Sequence, residues 1–118
     1  MTISSSAYTG SATVSTLEYS MVSGSTVLSS STALGIYQAF VDIAAMTSGD
    51  TYEFRVHDKA RTGDTQRLAW YARFANAPGT PMYISPSMIM GPGWDMTLKQ
   101  ISTSTAKTFN YSIRSVTT

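Results

Sequence analysis

The chain has 118 residues, no cysteine, a formal net charge of +1 and only 13% charged side chains. That length is one domain, and the missing thiols exclude disulfides, thiol catalysis and thiolate metal sites. The near-neutral charge gives no general pull towards nucleic acid or a membrane surface, and no apolar run approaches the ~20 residues of a membrane span.

Met1–Ser6 lack the basic start and long apolar stretch of a secretory signal. The expected place of synthesis is therefore the cytoplasm, with any exit by another route such as a released particle. Residues 1–9 are Ser/Thr-rich, with Ile3 and Tyr8 as the anchors available. They read as a flexible N-terminal arm preceding a single domain over 10–118, or alternatively as an edge strand. From Ala12 to Val22 the β-branched and aromatic residues predict a strand. Leu17, Tyr19 and Met21 share a face with Val14 out of phase, which suggests a bulge near Ser15. Ser23-Gly24-Ser25 is a turn, Thr26-Val27-Leu28 a short strand or the start of a loop, and Ser29–Thr32 an exposed low-complexity stretch.

Residues 34–43 match helical spacing at Leu34, Tyr37, Phe40 and Val41, but the internal Gly35 and the β-branched and aromatic content favour a strand. Phe40-Val41-Asp42-Ile43 is apolar on both sides, as a deeply buried strand would be. A short helical turn at Ala44-Ala45-Met46 remains open. Ser48-Gly49-Asp50 supplies turn chemistry. Residues 51–58 then alternate cleanly, with Tyr52, Phe54 and Val56 on one face and Glu53, Arg55 and His57 on the other.

After the turn Arg61–Asp64, residues 66–75 alternate again. Leu68, Trp70, Ala72 and Phe74 take the inner positions and complete an antiparallel hairpin. Pro81 and Pro86 flank Met82-Tyr83-Ile84, the pattern of an edge strand. Strands are also predicted over 94–101 and 108–116, with Trp94, Leu98 and Ile113 facing inwards. The expected core is Phe54, Leu68, Trp70, Trp94, Leu98 and Ile113. Seven to eight short strands with regular turns predict an all-β fold, an antiparallel β-sandwich or barrel.

Catalytic equipment is sparse. His57 is the one histidine, beside Asp58, and lies on the polar face of its strand; its general-base reading is weaker than that of a packed strand residue. No serine stands in a nucleophile elbow. Paired carboxylates of a glycosidase need about 5–10 Å across a cleft, and most of Glu18, Asp42, Asp50, Glu53, Asp58, Asp64 and Asp95 fall in turns or at outward strand positions. Asp42, in an apolar strand, is expected to cap or to pair with an arginine. No pattern for calcium or zinc is visible, and no cofactor is expected.

Two binding patterns stand out. Arg55, Lys59, Arg61, Arg67 and Arg73 gather the basic charge in one hairpin, either as a face paired with Glu53, Asp58 and Asp64 or as a contact patch for an acidic protein surface. Tyr71, Tyr83, Trp70 and Trp94 offer rings for a sugar, with both tryptophans better placed for the core. Asn110-Tyr111-Ser112 is a sequon read as chance. Met82, Met88, Met90 and Met96 suit a core or an adaptable interface.

The stretch Val41–Arg55, with its Asp42, Gly49-Asp50, Glu53-Phe54-Arg55 pattern, followed by Gln66-Arg67, Thr97-Leu98-Lys99-Gln100 and Phe109–Arg114, resembles small virion proteins of tailed bacteriophages. The resemblance spans roughly residues 36–116 and its motifs are structural. It implies a capsid cement (decoration) protein with a jelly-roll-like sandwich, without enzymatic activity. Such a protein sits on the outside of the shell, bridges neighbouring copies of the major capsid protein, and is itself a dimer or trimer with no direct nucleic-acid or membrane contact. Ile3 and Tyr8 of the arm, with Arg55, Lys59 and Arg61 of the basic hairpin, are the expected partner-binding residues. The alternatives are a glycan-binding module of a fibre or tail, carried by Tyr71, Tyr83 and Trp94, and a head–tail or tail subunit.

Overall fold

In the computed structural model, which describes residues 1–117, nine strands form two antiparallel sheets and no helix occurs among the described residues. The strands are β1 (Thr2–Val14), β2 (Tyr19–Ser20), β3 (Gly35–Asp42), β4 (Thr51–Asp58), β5 (Arg67–Ala75), β6 (Met82–Ile84), β7 (Met88–Met90), β8 (Asp95–Gln100) and β9 (Lys107–Thr117). One sheet runs β1-β9-β3-β6, with β7 also on β3, and the other runs β2-β8-β4-β5. β6 and β7 act as one edge strand interrupted at Ser85–Ser87, where Pro86 cannot donate to a ladder.

Counted so, eight strands pair first with last, second with next to last, and inwards to the β4–β5 hairpin. The paired ribbon folds over on itself into two packed sheets, the wrapping of a jelly roll. The expected all-β sandwich is therefore observed. Thr118, the last residue of the expected domain, lies outside the described residues.

Local chemistry sets the hairpins. Gly49 at φ 89° and Gly63 at φ 91° occupy the two expected turns, in a region of backbone space that costs side-chain-bearing residues most. Asn76, at φ 62°, accepts a hydrogen bond from Gly49 N through Oδ1 at 3.0 Å and locks the far end of the β4–β5 hairpin to the preceding turn. Asp42 caps the turn after β3, its Oδ1 accepting from Ala44 N at 3.0 Å.

The core lies between the sheets. Trp94 is fully buried, stacked on Tyr37 at 4.4 Å with Tyr8 edge-on at 5.8 Å, and its indole N–H donates to Ala33 O at 2.9 Å. Tyr52 meets Phe109 at 4.8 Å, and Tyr83 bridges Phe54 and Phe74. Phe54, Trp94, Leu98 and Ile113 are buried as expected.

Leu68 and Trp70 are not: they are 49% and 36% exposed. Trp70 does face inwards, opposite Val56 and near Phe54, but β5 is the last strand of its sheet and its rim is open. A register shift between Val56 and His57 then turns Leu68 to the outer side, opposite His57.

The expected 12–22 strand is also redrawn. β1 ends at Val14, Leu17 is exposed, and the irregularity lies between Ser4 and Tyr8 instead of near Ser15. Residues 2–9 are not a free arm. They form the first part of β1 against β9, the edge-strand alternative, because β9 presents a long unpaired rim that Ser- and Thr-rich backbone can satisfy.

Candidate interaction surfaces

The two outer faces of the sandwich differ in chemistry. On β3, Tyr37, Ala39 and Val41 point into the core, so Ile36, Gln38, Phe40 and Asp42 point out. On β9, burial of Phe109, Tyr111, Ile113 and Ser115 turns Asn110, Ser112, Arg114 and Val116 outwards. The registers then place Ile3 opposite Val116, Val116 opposite Ile36, and Ile36 opposite Ile89. These four aliphatic residues form a row across the five-stranded sheet. Ile3, Ile36 and Ile89 are 71%, 41% and 84% exposed.

A second row pairs Phe40 with Ile84, and Arg114 lies flat on the Phe40 ring at 3.7 Å. Met1 and Leu34 extend the first row and line a shallow groove of about 460 Å³ with Ile36, Ile89 and Val116. Exposed side chains of this size reach several hundred Å², roughly the 300–600 Å² at which surface patches tend to be functional.

The four-stranded sheet is polar outside and closes on itself. Glu53 is buried, and its two oxygens receive Arg55 Nε at 2.6 Å and Arg73 Nη2 at 2.8 Å. Burial pushes the Glu53 carboxyl up, but the hydrogen bonds from Arg73 and Arg55 outweigh it and hold the group below the ordinary carboxylate range. Glu18, from the β1–β2 connection, reaches onto the same face. Its Oε2 meets His57 Nε2 at 2.7 Å and accepts from Thr97 Oγ1, and its Oε1 lies 3.4 Å from Arg55. The His57 hydrogen bond, aided by Thr97 and Arg55 and opposed by burial, lowers the Glu18 carboxyl to about 2.

Next to it, Asp95 is fully buried, accepting from Ser20 Oγ at 2.7 Å and Ser29 N at 2.8 Å. Burial pushes this carboxyl up, against those hydrogen bonds. Alternation placed Asp95 and Thr97 on the outward side of their strand. They are buried because the segment around Ser20–Ser31 folds over that side of β8, with Ser31 and Trp94 exchanging backbone hydrogen bonds.

The cluster is not a hydroxyl–imidazole–carboxylate triad. A hydroxyl nucleophile must be hydrogen-bonded to its base. Here the Thr97 hydroxyl and the imidazole both bind the same carboxylate oxygen of Glu18. Among the described residues no group of three His, Asp or Glu side chains is placed to hold a metal.

The expected partner residues scatter. Ile3 lies on the apolar row. Tyr8 is partly buried, its ring packed against Trp94 and Tyr37. Arg55 is tied to Glu53 and Glu18 and only 22% exposed. Lys59 lays its stem on Gly93, whose added Cβ would stand 2.6 Å from Lys59 Cε. Arg61 is 84% exposed, 3.3 Å from Asp64. The basic hairpin is thus mostly a face paired with its own carboxylates.

The rings considered for a sugar do not converge either. Trp94 and Tyr83 pack inwards while Tyr71, at 55% exposure, lies on the outer side of β5. Strand alternation alone does not mark Ile36, Val116, Ile84 and Ile89 as surface groups. For Ile36 the available signal is the two-sided apolar character of the third strand; Ile84, Ile89 and Val116 lie on other strands and join it only through the sheet register.

No family model, no curated protein and no solved structure matches the chain.

Proposed function

We propose that the protein is a non-enzymatic virion structural protein of a tailed bacteriophage: a cement protein that binds the outside of the capsid shell and bridges neighbouring major capsid subunits. It would be made in the host cytoplasm, reside on the virion surface and act as a small homo-oligomer. The observation that carries the reading is the apolar outer face of the five-stranded sheet, with Ile3, Val116, Ile36 and Ile89 in one row. A flat apolar face on an otherwise polar, weakly charged domain suits a large, flat protein partner. The motif resemblance supplies the class of that partner.

The mechanism is thermodynamic. A subunit that binds the assembled lattice better than free capsid protein stabilises the lattice by that difference, and repetition over the shell multiplies a modest contact.

The test is attachment to purified, undecorated shells, scored by co-sedimentation and copy number per capsid subunit. The native chain is expected to saturate at a fixed ratio. The pair Ile36→Asp and Ile89→Asp should weaken attachment about 100-fold or more, since each puts a charge into a desolvated contact. Both positions are outside the core, so the unfolding midpoint should stay nearly unchanged. Full occupancy by the double variant would sink the proposed face.

A further inference from the structure

The last strand of the four-stranded sheet has an open rim. β5 pairs with β4 on one side and, among the described residues, with no strand on the other. Every second residue of such a rim presents an unpaired N–H and C=O, a template for one more strand. Natural edges are commonly blunted by proline, by a bulge or by covering chain. Here the register shift beside Ala69 disturbs one end, which leaves Trp70–Ala75 as a straight edge without proline or glycine.

Beneath that edge the sandwich is also open. Phe74 of β5 stacks on Tyr83 of β6 at 4.6 Å, and a cavity of about 500 Å³ opens beside them, lined largely by Ile43, Phe74, Pro78, Met82 and Ile84. Trp70 stands half-open at the other end of the edge, on the same inner side. A strand added to β5 would point alternate side chains inwards, beside Trp70 and into this cavity. Its remaining side chains would fall on the outer side, next to Tyr71 and Arg73. Arg73 is 55% exposed, and its Nε and Nη2 are engaged by Glu53, which leaves Nη1 for a further acceptor. The hairpin 51–75 holds five basic residues against three acidic ones.

We propose that the Trp70–Ala75 edge is a docking site for an extended peptide segment with apolar and acidic residues in alternation. The apolar side chains enter the β5–β6 cavity and an acidic one meets Arg73. Backbone hydrogen bonds supply affinity and the alternate pockets supply selectivity. A second copy of this chain is the poorer occupant. Two-fold registers that keep the inner faces aligned, centred on Ala72 or on Arg73, bring the two Arg73 side chains diagonal or opposite to each other, and like charges so placed are destabilising. The β5 edge belongs to the layer opposite the Ile36–Ile89 row, and although β6 contributes Met82 and Ile84 to the cavity, the proposal stands whether or not that row binds a shell.

The probe is a capped eight-residue peptide alternating valine and glutamate, titrated into the full chain. Trp70 emission should shift to the blue as its rim is covered, while Trp94, already buried, contributes little change. A valine–lysine counterpart should bind about tenfold more weakly or worse. Two further peptides carry N-methyl groups on alternate amides, one in each phase. One phase should bind and the other should not, because only one set of amides faces β5. Arg73→Gln, which retains a donor for Glu53 without the charge, should bring the two unmethylated peptides to within about twofold of each other. The proposal is overturned by absence of saturable binding up to about 1 mM, by equal binding of both methylated phases, or by self-association of the free chain that the peptide displaces.

Discussion

The outer faces of the two sheets are built from equally regular strands, yet they spend their side chains differently. On the four-stranded sheet, Glu53, Arg55, Arg73, Glu18, His57 and Thr97 satisfy one another, and Asp95 is closed off by Ser20 and Ser29. On the five-stranded sheet, Ile3, Ile36 and Ile89 are exposed, with the partly buried Val116 between them. Charges whose donors are all engaged gain little from a new partner, because any rearrangement breaks good pairs first, and only a spare donor such as Arg73 Nη1 is open to one. An uncovered aliphatic row gains by every Å² removed from water, about 25 cal/mol each. Counting charges along the sequence therefore picks out the four-stranded face, whereas exposed apolar area picks out the five-stranded one.

The core beneath both faces is common to them, and breaking it should produce the largest effect. Trp94→Ala removes a fully buried ring, its contacts with Tyr37 and Tyr8, and the indole hydrogen bond to Ala33. The expected loss is about 3–5 kcal/mol in urea unfolding. Trp70→Ala, at the open rim, should cost about 1–2 kcal/mol. Equal losses would mean that the β5 rim is closed in solution.

Acid tests the polar face, together with the turn at Asp50, whose carboxyl the Ser104 and Thr47 hydrogen bonds also hold below its ordinary value. The Glu18 carboxyl falls from 4.5 to about 2 on folding. A depressed folded value gives stability that is fully present above the unfolded pKa and is lost as pH falls through 4.5 towards 2. At 1.36 kcal/mol per unit this amounts to about 3 kcal/mol. Glu53 acts in the same direction. Asp95, raised by burial, acts oppositely, favouring the fold while protonated and giving that up as pH rises through its folded value. Glu18→Gln should be less stable than the native chain at pH 6 and converge with it near pH 2. A constant difference across that range would show that Glu18 acts through packing instead of charge.

These contrasts also mark what the sequence could reveal. The strand at Thr51–Asp58 was legible to the residue, because strict alternation and the Gly49 turn are local signals. Alternation assigns a side chain to a face, but it does not say what covers the face. Trp70 faces inwards as expected and is still partly exposed, since among the described residues no strand lies on the outer edge of β5. Asp95 and Thr97 were placed outwards and are still buried, since a connection from elsewhere lies on them. Residues 2–9 carry weak strand propensity of their own; β9 makes them a strand, a partner about a hundred residues away. Phe40-Val41-Asp42-Ile43 was read as buried on both sides, when one of those sides is the apolar surface itself.

The smallest expected effect discriminates most finely between the two layers. Arg61 sits in the β4–β5 loop, 84% exposed, with Asp64 as a loose partner at 3.3 Å. Surface pairs of this kind contribute about 0–1 kcal/mol, so Arg61→Glu should leave the unfolding midpoint almost unmoved. Its effect on shell attachment depends on which face docks. Stacked sheets are about 10 Å apart, and the Debye length in physiological salt is about 8 Å. A charge on the four-stranded layer is therefore largely screened from a partner seated on the five-stranded layer. With docking through Ile36 and Ile89, the association rate should change by no more than about twofold at 0.15 M salt, and the difference should widen only when salt is lowered. A tenfold slower, strongly salt-dependent association would move the contact to the basic loop and return Lys59 and Arg61 to the partner-binding set.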